Sequence, residues 1–256
     1  MYDFISSILS DKKDGTVFSC FGVYHFLYMI VIFSAIIVVL LFLKNKSDTT
    51  KNKLVNVTVN IAFGMYIADF FLMPFAYGAI DIEKLPFHAC TAMCVMSFVS
   101  RKSEFFSKYK RGFATLGLIS NFVYVIYPGG VGQYAVHPLS YRVLQTLLFH
   151  GIMTAYGIFA LAFDRRVLKP KALREDFAVI AAMTLWAVVG NNLYNGIGDR
   201  SYEFNWFFVV QDPFYIIPQN IGVFLMPVLN TVLFFALHVV VFFICYSAKK
   251  IRQKSR

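Results

Sequence analysis

The stretch YHFLYMIVIFSAIIVVLLFL, Tyr24–Leu43, contains twenty consecutive residues without Asp, Glu, Lys or Arg. A helix of twenty residues is about 30 Å long, which matches the hydrocarbon core of a bilayer. Of all residues, 58% are hydrophobic and 15% are charged, whereas soluble domains average about 45–50% apolar and about 25% charged residues. The chain is therefore predicted to be an all-α protein that crosses a membrane several times.

Six further apolar segments follow, and together with the first they predict one domain, residues 1–256, of seven transmembrane helices. The predicted spans are approximately residues 24–43, 54–79, 85–100, 112–128, 141–163, 177–194 and 221–247. The third and fourth segments are short for a membrane crossing. They are counted as spans because the alternation of charge between the connections requires both.

The basic residues predict the orientation of these spans. Nineteen of the 24 Lys and Arg lie in the connections after spans one, three and five and in the tail after span seven. Short loops rich in Lys and Arg stay in the cytoplasm. We therefore expect a multi-pass protein of the cell membrane, with its N-terminus outside and its C-terminus in the cytoplasm.

The net charge of +10 has the same explanation. A basic balance can indicate nucleic-acid binding, but here the charges lie in short loops that face anionic lipid headgroups. The predicted partners are therefore membrane lipids, including a phospholipid or acyl-lipid substrate, and not nucleic acid. No cofactor is predicted, and the oligomeric state is left open.

The connection between spans six and seven, residues 196–221, is rich in aromatic residues and poor in charge. Irregular backbone at membrane depth persists only where protein covers it or where it lines a cavity. This pattern predicts a lid over the helices. The alternative is an aromatic anchor in the headgroup region.

Several polar residues share one predicted depth, the outer half of the membrane. They are His25, Asp69, His88, Cys90, His150 and Asn191, with Asn205 and Trp206 in the aromatic connection. Ionisable residues within spans are costly and mark function by default. Each also has a structural alternative: the histidines as interfacial residues, Asp69 as the partner of a neighbouring Tyr or Asn, Cys90 as a packing residue and Asn191 as a helix cap.

The chemistry of this set favours a thiol nucleophile. Pro86 suits the first turn of a helix, so Cys90 is expected near the positive end of that helix, an environment that lowers the pKa of a thiol. His150 is the predicted general base, and His88 or His25 the predicted donor to a developing oxyanion. Asp69, Asn191, Asn205 and Trp206, together with His25, are predicted to bind substrate.

No metal site is predicted. His88 and Cys90 are zinc-competent ligands, but residues two apart on a helix project about 200° from each other.

Three short motifs resemble one family of membrane proteins. They are LPFHAC (Leu85–Cys90), FHG (Phe149–Gly151) and NWFF (Asn205–Phe208) before Pro213. They are similar to the Leu-Pro-x-His-x-Cys, His-Gly and Asn-Tyr-Met-x-Leu motifs of the YwaF-like proteins, the group that includes the transmembrane protein 164 family. Here Trp206 and Phe207 replace the usual Tyr and Met.

The resemblance implies seven helices. It also implies, through the animal branch, a cysteine-dependent acyltransferase that makes ether phospholipids, with Cys90 and His150 in the matching motifs. The predicted function is thus a lipid acyltransferase acting at the outer leaflet. A transporter or binding protein for a small solute or lipid is the alternative, although the chain has no internal repeat. A heptahelical sensor is a further alternative, but span seven has no lysine before Lys249 to form a retinal Schiff base.

Overall fold

The computed structural model describes residues 9, 15–132, 135–164, 170–195, 204–213 and 216–254. Within these residues the chain is all-α and has no β-strand, which confirms the predicted fold class. The helices are α1 (Val23–Leu43), α2 (Asp48–Tyr77), α3 (Ala89–Val99), α4 (Glu104–Ser107), α5 (Lys110–Ile126), α6 (Gly129–Gly132), α7 (Tyr141–Phe163), α8 (Lys171–Asn195) and α9 (Gln219–Lys254). Single 3₁₀ turns occur at Ile82–Lys84 and Trp206–Phe208.

Six helical segments of the described chain are long and apolar enough to cross a membrane. They are α1, α2, α5 continued through α6, α7, α8 and α9. The apolar helix α3 has only 11 residues, a length of about 16 Å, which is half the hydrocarbon thickness. Membrane crossing by several helices is thus supported, whereas the seventh span and the orientation of the termini stay predictions.

The boundaries of α2 follow from its caps. The Ser47 hydroxyl accepts a hydrogen bond from the Thr50 N–H at 3.3 Å, so the helix begins at Asp48, before the apolar run. It ends where Gly78 takes φ = 75°, a left-handed conformation that glycine adopts without a steric penalty.

The chain divides into two compact units, the first formed by Met1–Ile82 with Gly117–Phe163. In this unit α2 packs along α7, and α1 also contacts α7. Gly151 allows α1 to lie close to α7, because a Cβ at that position would lie 2.9 Å from Cδ1 of Ile32 in α1. Helix α1 buries only His25, Ile32, Ile36 and Leu43, which leaves most of its apolar surface for lipid.

The second unit comprises Glu83–Leu116 with Asp164–Arg256. Here α8 packs along α9, and the 3₁₀ turn Trp206–Phe208 contacts both helices. The beginning of α5 lies against α8, where a Cβ on Gly112 would come within 2.8 Å of Val179. The core of this unit combines α3, α5 and α8 through Met93, Leu116 and Met183.

Candidate functional site

The candidate nucleophile lies in the first turn of α3. His88 is the N-cap residue, with extended φ and ψ, and the helix begins at Ala89. Cys90 is therefore the second helical residue, and Pro86, expected in the first turn, lies before the helix. The first backbone N–H groups of a helix have no partner within it and carry the positive end of its dipole. The Cys90 thiol sits within this field.

The two cysteines of α3 differ in access. Cys90 is partly exposed, whereas Cys94 is fully buried. Ser97 is also fully buried, on the same side of the helix, because residues four and three apart share one face. An electrophile that approaches this face can therefore reach Cys90 before Cys94.

His88 connects the start of α3 to the aromatic segment 204–213. Its Nδ1 accepts a hydrogen bond from the backbone N–H of Phe207 at 3.4 Å. Because a neutral imidazole that accepts at one nitrogen carries its proton on the other, Nε2 of His88 is available as a donor. This is the protonation that the predicted oxyanion donor needs.

The backbone of the aromatic segment is unusual at this point. Phe207 has φ = 57° and Phe208 has φ = 51°, both in the left-handed region, where bulky residues are rare. Asn230 of α9 holds them there, since its Nδ2 donates to the carbonyl oxygens of Phe207 and Phe208 at 2.6 and 2.7 Å. Such conformations persist only where surrounding contacts hold them, and they concentrate at functional sites.

Asn191 also fixes this segment. Its Oδ1 accepts from the Trp206 N–H at 2.9 Å, and its Nδ2 donates to the carbonyls of Ala187 and Trp206. Asn205 forms a turn, accepting from the N–H groups of Val210 and Gln211 and donating to the Gln211 carbonyl. Both amides therefore organise the backbone, and their predicted contact with substrate stays a prediction.

Trp206 lies inside a stack of aromatic rings in the second unit. Its ring stacks on Phe87 at a centroid distance of 4.8 Å and on Phe204 at 4.5 Å. Trp186 covers the other face of Phe87, and Tyr194 meets the stack edge-on. The Trp206 indole N–H donates to the Glu83 carbonyl. The part of the aromatic connection around this stack is thus buried, at Phe204, Trp206, Phe207 and Val209, whereas Phe208 and Ile216 are exposed. Residues 196–203 and 214–215 of the predicted lid lie outside the described residues.

Sequence analysis missed two residues of this arrangement, Asn195 and Asn230. Asn195 pairs with the backbone of Phe204 through both its amide oxygen and nitrogen, at 2.7 and 2.8 Å. The available signal was an asparagine at the end of an apolar helix beside an aromatic loop, since such amides pair readily with unsatisfied backbone.

Gly190 makes room for the aromatic stack, and this predicts a specific defect. A Cβ at Gly190 would lie 2.2 Å from Cδ1 of Phe87, so Gly190→Ala must displace that ring. Overpacking of this kind costs about 1–3 kcal/mol. We expect Gly190→Ala to lower the unfolding midpoint in detergent and to shift tryptophan emission, because Trp186 and Trp206 both contact Phe87.

The matched control is Gly64→Ala. Gly64 lies inside α2, and a Cβ there meets nothing within 4 Å. Alanine should therefore stabilise by about 0.5–1 kcal/mol through helix propensity. Equal stability of the two variants would contradict the assigned packing.

In the first unit, His25 bonds two backbone groups. Its Nδ1 accepts from the Phe21 N–H, and its Nε2 donates to the Val125 carbonyl, both at 2.9 Å. The ring is completely buried and contacts Phe18 and Phe26. Because both nitrogens are used, a substrate contact would have to replace one of these bonds. Its predicted contact with substrate stays a prediction.

The other two predicted residues of this unit are also buried. Asp69 Oδ1 accepts from the Tyr141 hydroxyl at 2.7 Å, the structural role considered for it from the sequence. His150 donates from Nδ1 to the Thr146 carbonyl at 2.7 Å, and its ring stacks on Tyr124 at 3.9 Å. With the proton on Nδ1, Nε2 is the nitrogen that can act as a base.

The predicted site residues thus fall into two sets. His25, Asp69 and His150 belong to the first unit, and His88, Cys90, Asn191, Asn205 and Trp206 belong to the second. Within the second unit His88 and Asn191 meet through the 206–207 backbone, to which each is hydrogen-bonded. The convergence of all of these residues on one cavity stays a prediction. The described residues contain no group of three or more His, Cys, Asp or Glu that could hold a metal ion.

A second polar cluster lies at the other end of the second unit. Arg111 of α5 forms an ion pair with Asp176 of α8, and both side chains are buried. His238 of α9 is completely buried with Nδ1 3.8 Å from Asp176 Oδ2, and its ring nitrogens have no hydrogen-bond partner among the described residues. The Arg111 guanidinium also lies over the Phe242 ring. Sequence analysis counted Arg111 only as a loop charge.

The sequence comparisons agree with the motifs. The model of the TMEM164 family matches residues 20–246, a range that includes every predicted site residue. No curated protein and no solved structure matches the chain. The chain therefore belongs to the TMEM164 family.

Proposed function

We propose that this membrane protein is a cysteine-dependent lipid acyltransferase with Cys90 as its nucleophile. The observation that carries the proposal is the position of Cys90: partly exposed, in the first turn of α3, directly after an N-cap histidine. A helix N-terminus stabilises a thiolate, the reactive form of cysteine. The family membership supports the proposal, since LPFHAC lies within the matched residues.

The proposed reaction has two half-reactions. The Cys90 thiolate attacks the ester carbonyl of a phospholipid, and the resulting oxyanion collapses with cleavage of the ester C–O bond. The lysophospholipid leaves as an alcohol after taking up the thiol's proton from the general base, and the acyl group remains on Cys90 as a thioester. The hydroxyl of an acceptor lysophospholipid then attacks the thioester, gives its proton to the base, and releases the thiol.

Two histidines take the remaining roles in this proposal. His88 Nε2, which carries the proton while Nδ1 accepts from Phe207, donates to the oxyanion. His150 is the proposed base, since its Nδ1 bond to Thr146 leaves Nε2 to accept a proton. We further propose that the chemistry takes place in the outer leaflet of the cell membrane, as the positions of the basic residues predict.

A transporter is the second candidate function. The buried Arg111–Asp176 pair and its neighbour His238 favour it, because charged clusters within membrane helices mark ion and proton pathways. The two functions differ in whether Cys90 reacts covalently.

A labelling experiment tests the proposal. In a Cys20→Ala/Cys245→Ala background, a long-chain maleimide at neutral pH should label Cys90 at least about tenfold faster than Cys94. The background removes the two other partly exposed thiols. Peptide mapping by mass spectrometry gives the two rates.

His150→Ala provides the test of the base. It should slow the labelling of Cys90 without unfolding the protein, since the Nδ1 bond to the Thr146 carbonyl that it removes lies within α7 and does not join two helices. Equal labelling of Cys90 and Cys94 would reject the nucleophile and favour the transporter.

A further inference from the structure

The second unit contains an apolar pocket of about 500 Å³, within the range of ligand sites. One wall is the α3 face that carries Ala92 and Met96, and the opposite wall is α8 from Ala178 to Trp186. Phe105 of α4 and Tyr109, which precedes α5, also line the pocket. The lining is almost entirely hydrocarbon and aromatic, so the ligand that it suits is an alkyl chain.

The pocket is open to the surface of the second unit. Two of its lining side chains are exposed, Phe105 to 63% and Trp186 to 46%. Trp186 lies eight positions after Ala178 in α8, a distance of about 12 Å along the helix. A chain can therefore enter sideways, as lipid chains reach clefts between membrane helices.

A positive charge lies beside two of the lining rings. The ammonium of Lys108 is 4.7 Å from the Phe105 ring centroid and 4.6 Å from that of Tyr109, two rings that line the pocket. Lys108 is itself exposed. This arrangement places a cation where the headgroup of a lipid would lie if its chain filled the pocket.

The pocket is separate from the candidate nucleophile. At about 100° per residue, Ala92, Val95 and Met96 project from α3 on the side away from Cys90 and Cys94, and Met93, which also lines the pocket, projects between the two sides. The ligand of this pocket is therefore not positioned to acylate Cys90.

We propose that this pocket binds one acyl chain of an anionic membrane lipid, with the lipid headgroup held at Lys108. The site is distinct from the proposed catalytic site and does not depend on the acyltransferase proposal. The bound lipid packs along α3 and supports the helix that presents Cys90 on its other face.

Tryptophan quenching tests this proposal, because Trp186 lines the pocket and the chain has only one other tryptophan, the buried Trp206. The full-length protein is placed in phosphatidylcholine vesicles that contain a minor fraction of lipid with brominated chains. Brominated phosphatidylglycerol should bind in the pocket about fivefold more tightly than brominated phosphatidylcholine. This factor corresponds to the ~1 kcal/mol that one lysine contributes to the binding of anionic lipid. The quenching curves give this preference.

Two pairs of variants separate the pocket from general lipid contact. Lys108→Gln should remove the preference, whereas Lys102→Gln should keep it, because the Lys102 ammonium lies over Phe98, outside the pocket. Ala182→Phe fills the pocket and should reduce quenching, whereas Leu185→Phe, at an exposed position of α8 outside the lining, should not.

Unchanged preference in Lys108→Gln, or equal quenching in Ala182→Phe and Leu185→Phe, would overturn the proposal. A fall in preference that is the same for Lys108→Gln and Lys102→Gln would also overturn it, since it would reflect surface charge alone.

Discussion

Asp176→Ala is expected to lower the free energy of unfolding by about 3–5 kcal/mol, the largest stability effect that the structure predicts. Asp176 is 1% exposed; among the described residues its ion-pair partner is Arg111, and His238 lies 3.8 Å away. Removing the carboxylate leaves a guanidinium buried without a counter-ion, and the cost of that charge dominates the loss. Unfolding in mixed micelles with increasing sodium dodecyl sulfate gives the difference.

The double variant Arg111→Met/Asp176→Leu separates the cost of an unpaired charge from the worth of the pair. It removes both charges at similar volume, so it should recover most of the lost stability. Glu175→Ala, beside the pair in sequence but only partly buried, should change stability by no more than about 0.5 kcal/mol. A loss in the double variant as large as in Asp176→Ala would contradict this account of the cluster.

Cys90→Ser is expected to reduce acyl transfer by at least about a thousandfold, because a hydroxyl is a far weaker nucleophile than a thiolate in the same position. Serine is close to cysteine in size, and the partly exposed position should accept it without loss of folding. The measurement is the transfer of a radiolabelled acyl chain from phospholipid to lysophospholipid by purified protein in vesicles.

Cys94→Ala is the matched control, one helical turn further along α3. It should keep acyl transfer near the native level, since Cys94 is completely buried and contacts no substrate in the proposed reaction. Native transfer in Cys90→Ser would reject the thiol mechanism, and equal loss in both variants would indicate a role of α3 packing instead.

Hydropathy predicted the helices well but not their ends. Helix α8 begins at Lys171 and α9 continues to Lys254, each several residues beyond the apolar run. Hydropathy marks the part of a helix that lies in hydrocarbon, whereas capping and charged flanks decide where the helix ends. Helix α3, in contrast, is shorter than its apolar run. The 3₁₀ turn at Ile82–Lys84 and the extended backbone of His88 delay its start until Ala89.

The sequence predicted which residues form the candidate site but not the hydrogen bonds that hold the segment around them. A thiol and a histidine beside Pro86 could be placed at a helix start from local spacing alone. The bonds from Asn191, Asn195 and Asn230 to the aromatic segment could not, because they join residues from 9 to 23 positions apart through a loop without periodicity.

The Arg111–Asp176 pair shows a second limit of reasoning from local sequence. Charge counting places Arg111 in the connection after span three, and it considers only Lys and Arg, so it makes no prediction for Asp176. Their burial against each other depends on the approach of α5 to α8 at Gly112, a contact between segments 65 residues apart. Only the tertiary packing brings this glycine and this carboxylate together.

The most direct measurement of the central claim is the mass of the intermediate. Purified protein mixed with a phospholipid donor and no acceptor should carry one acyl group, located on the peptide that contains Cys90 and released by neutral hydroxylamine, as expected for a thioester. The adduct should disappear when lysophospholipid is added, as the acyl chain passes to it. Acyl transfer that proceeds at the native rate without any acyl group on Cys90 would contradict the account.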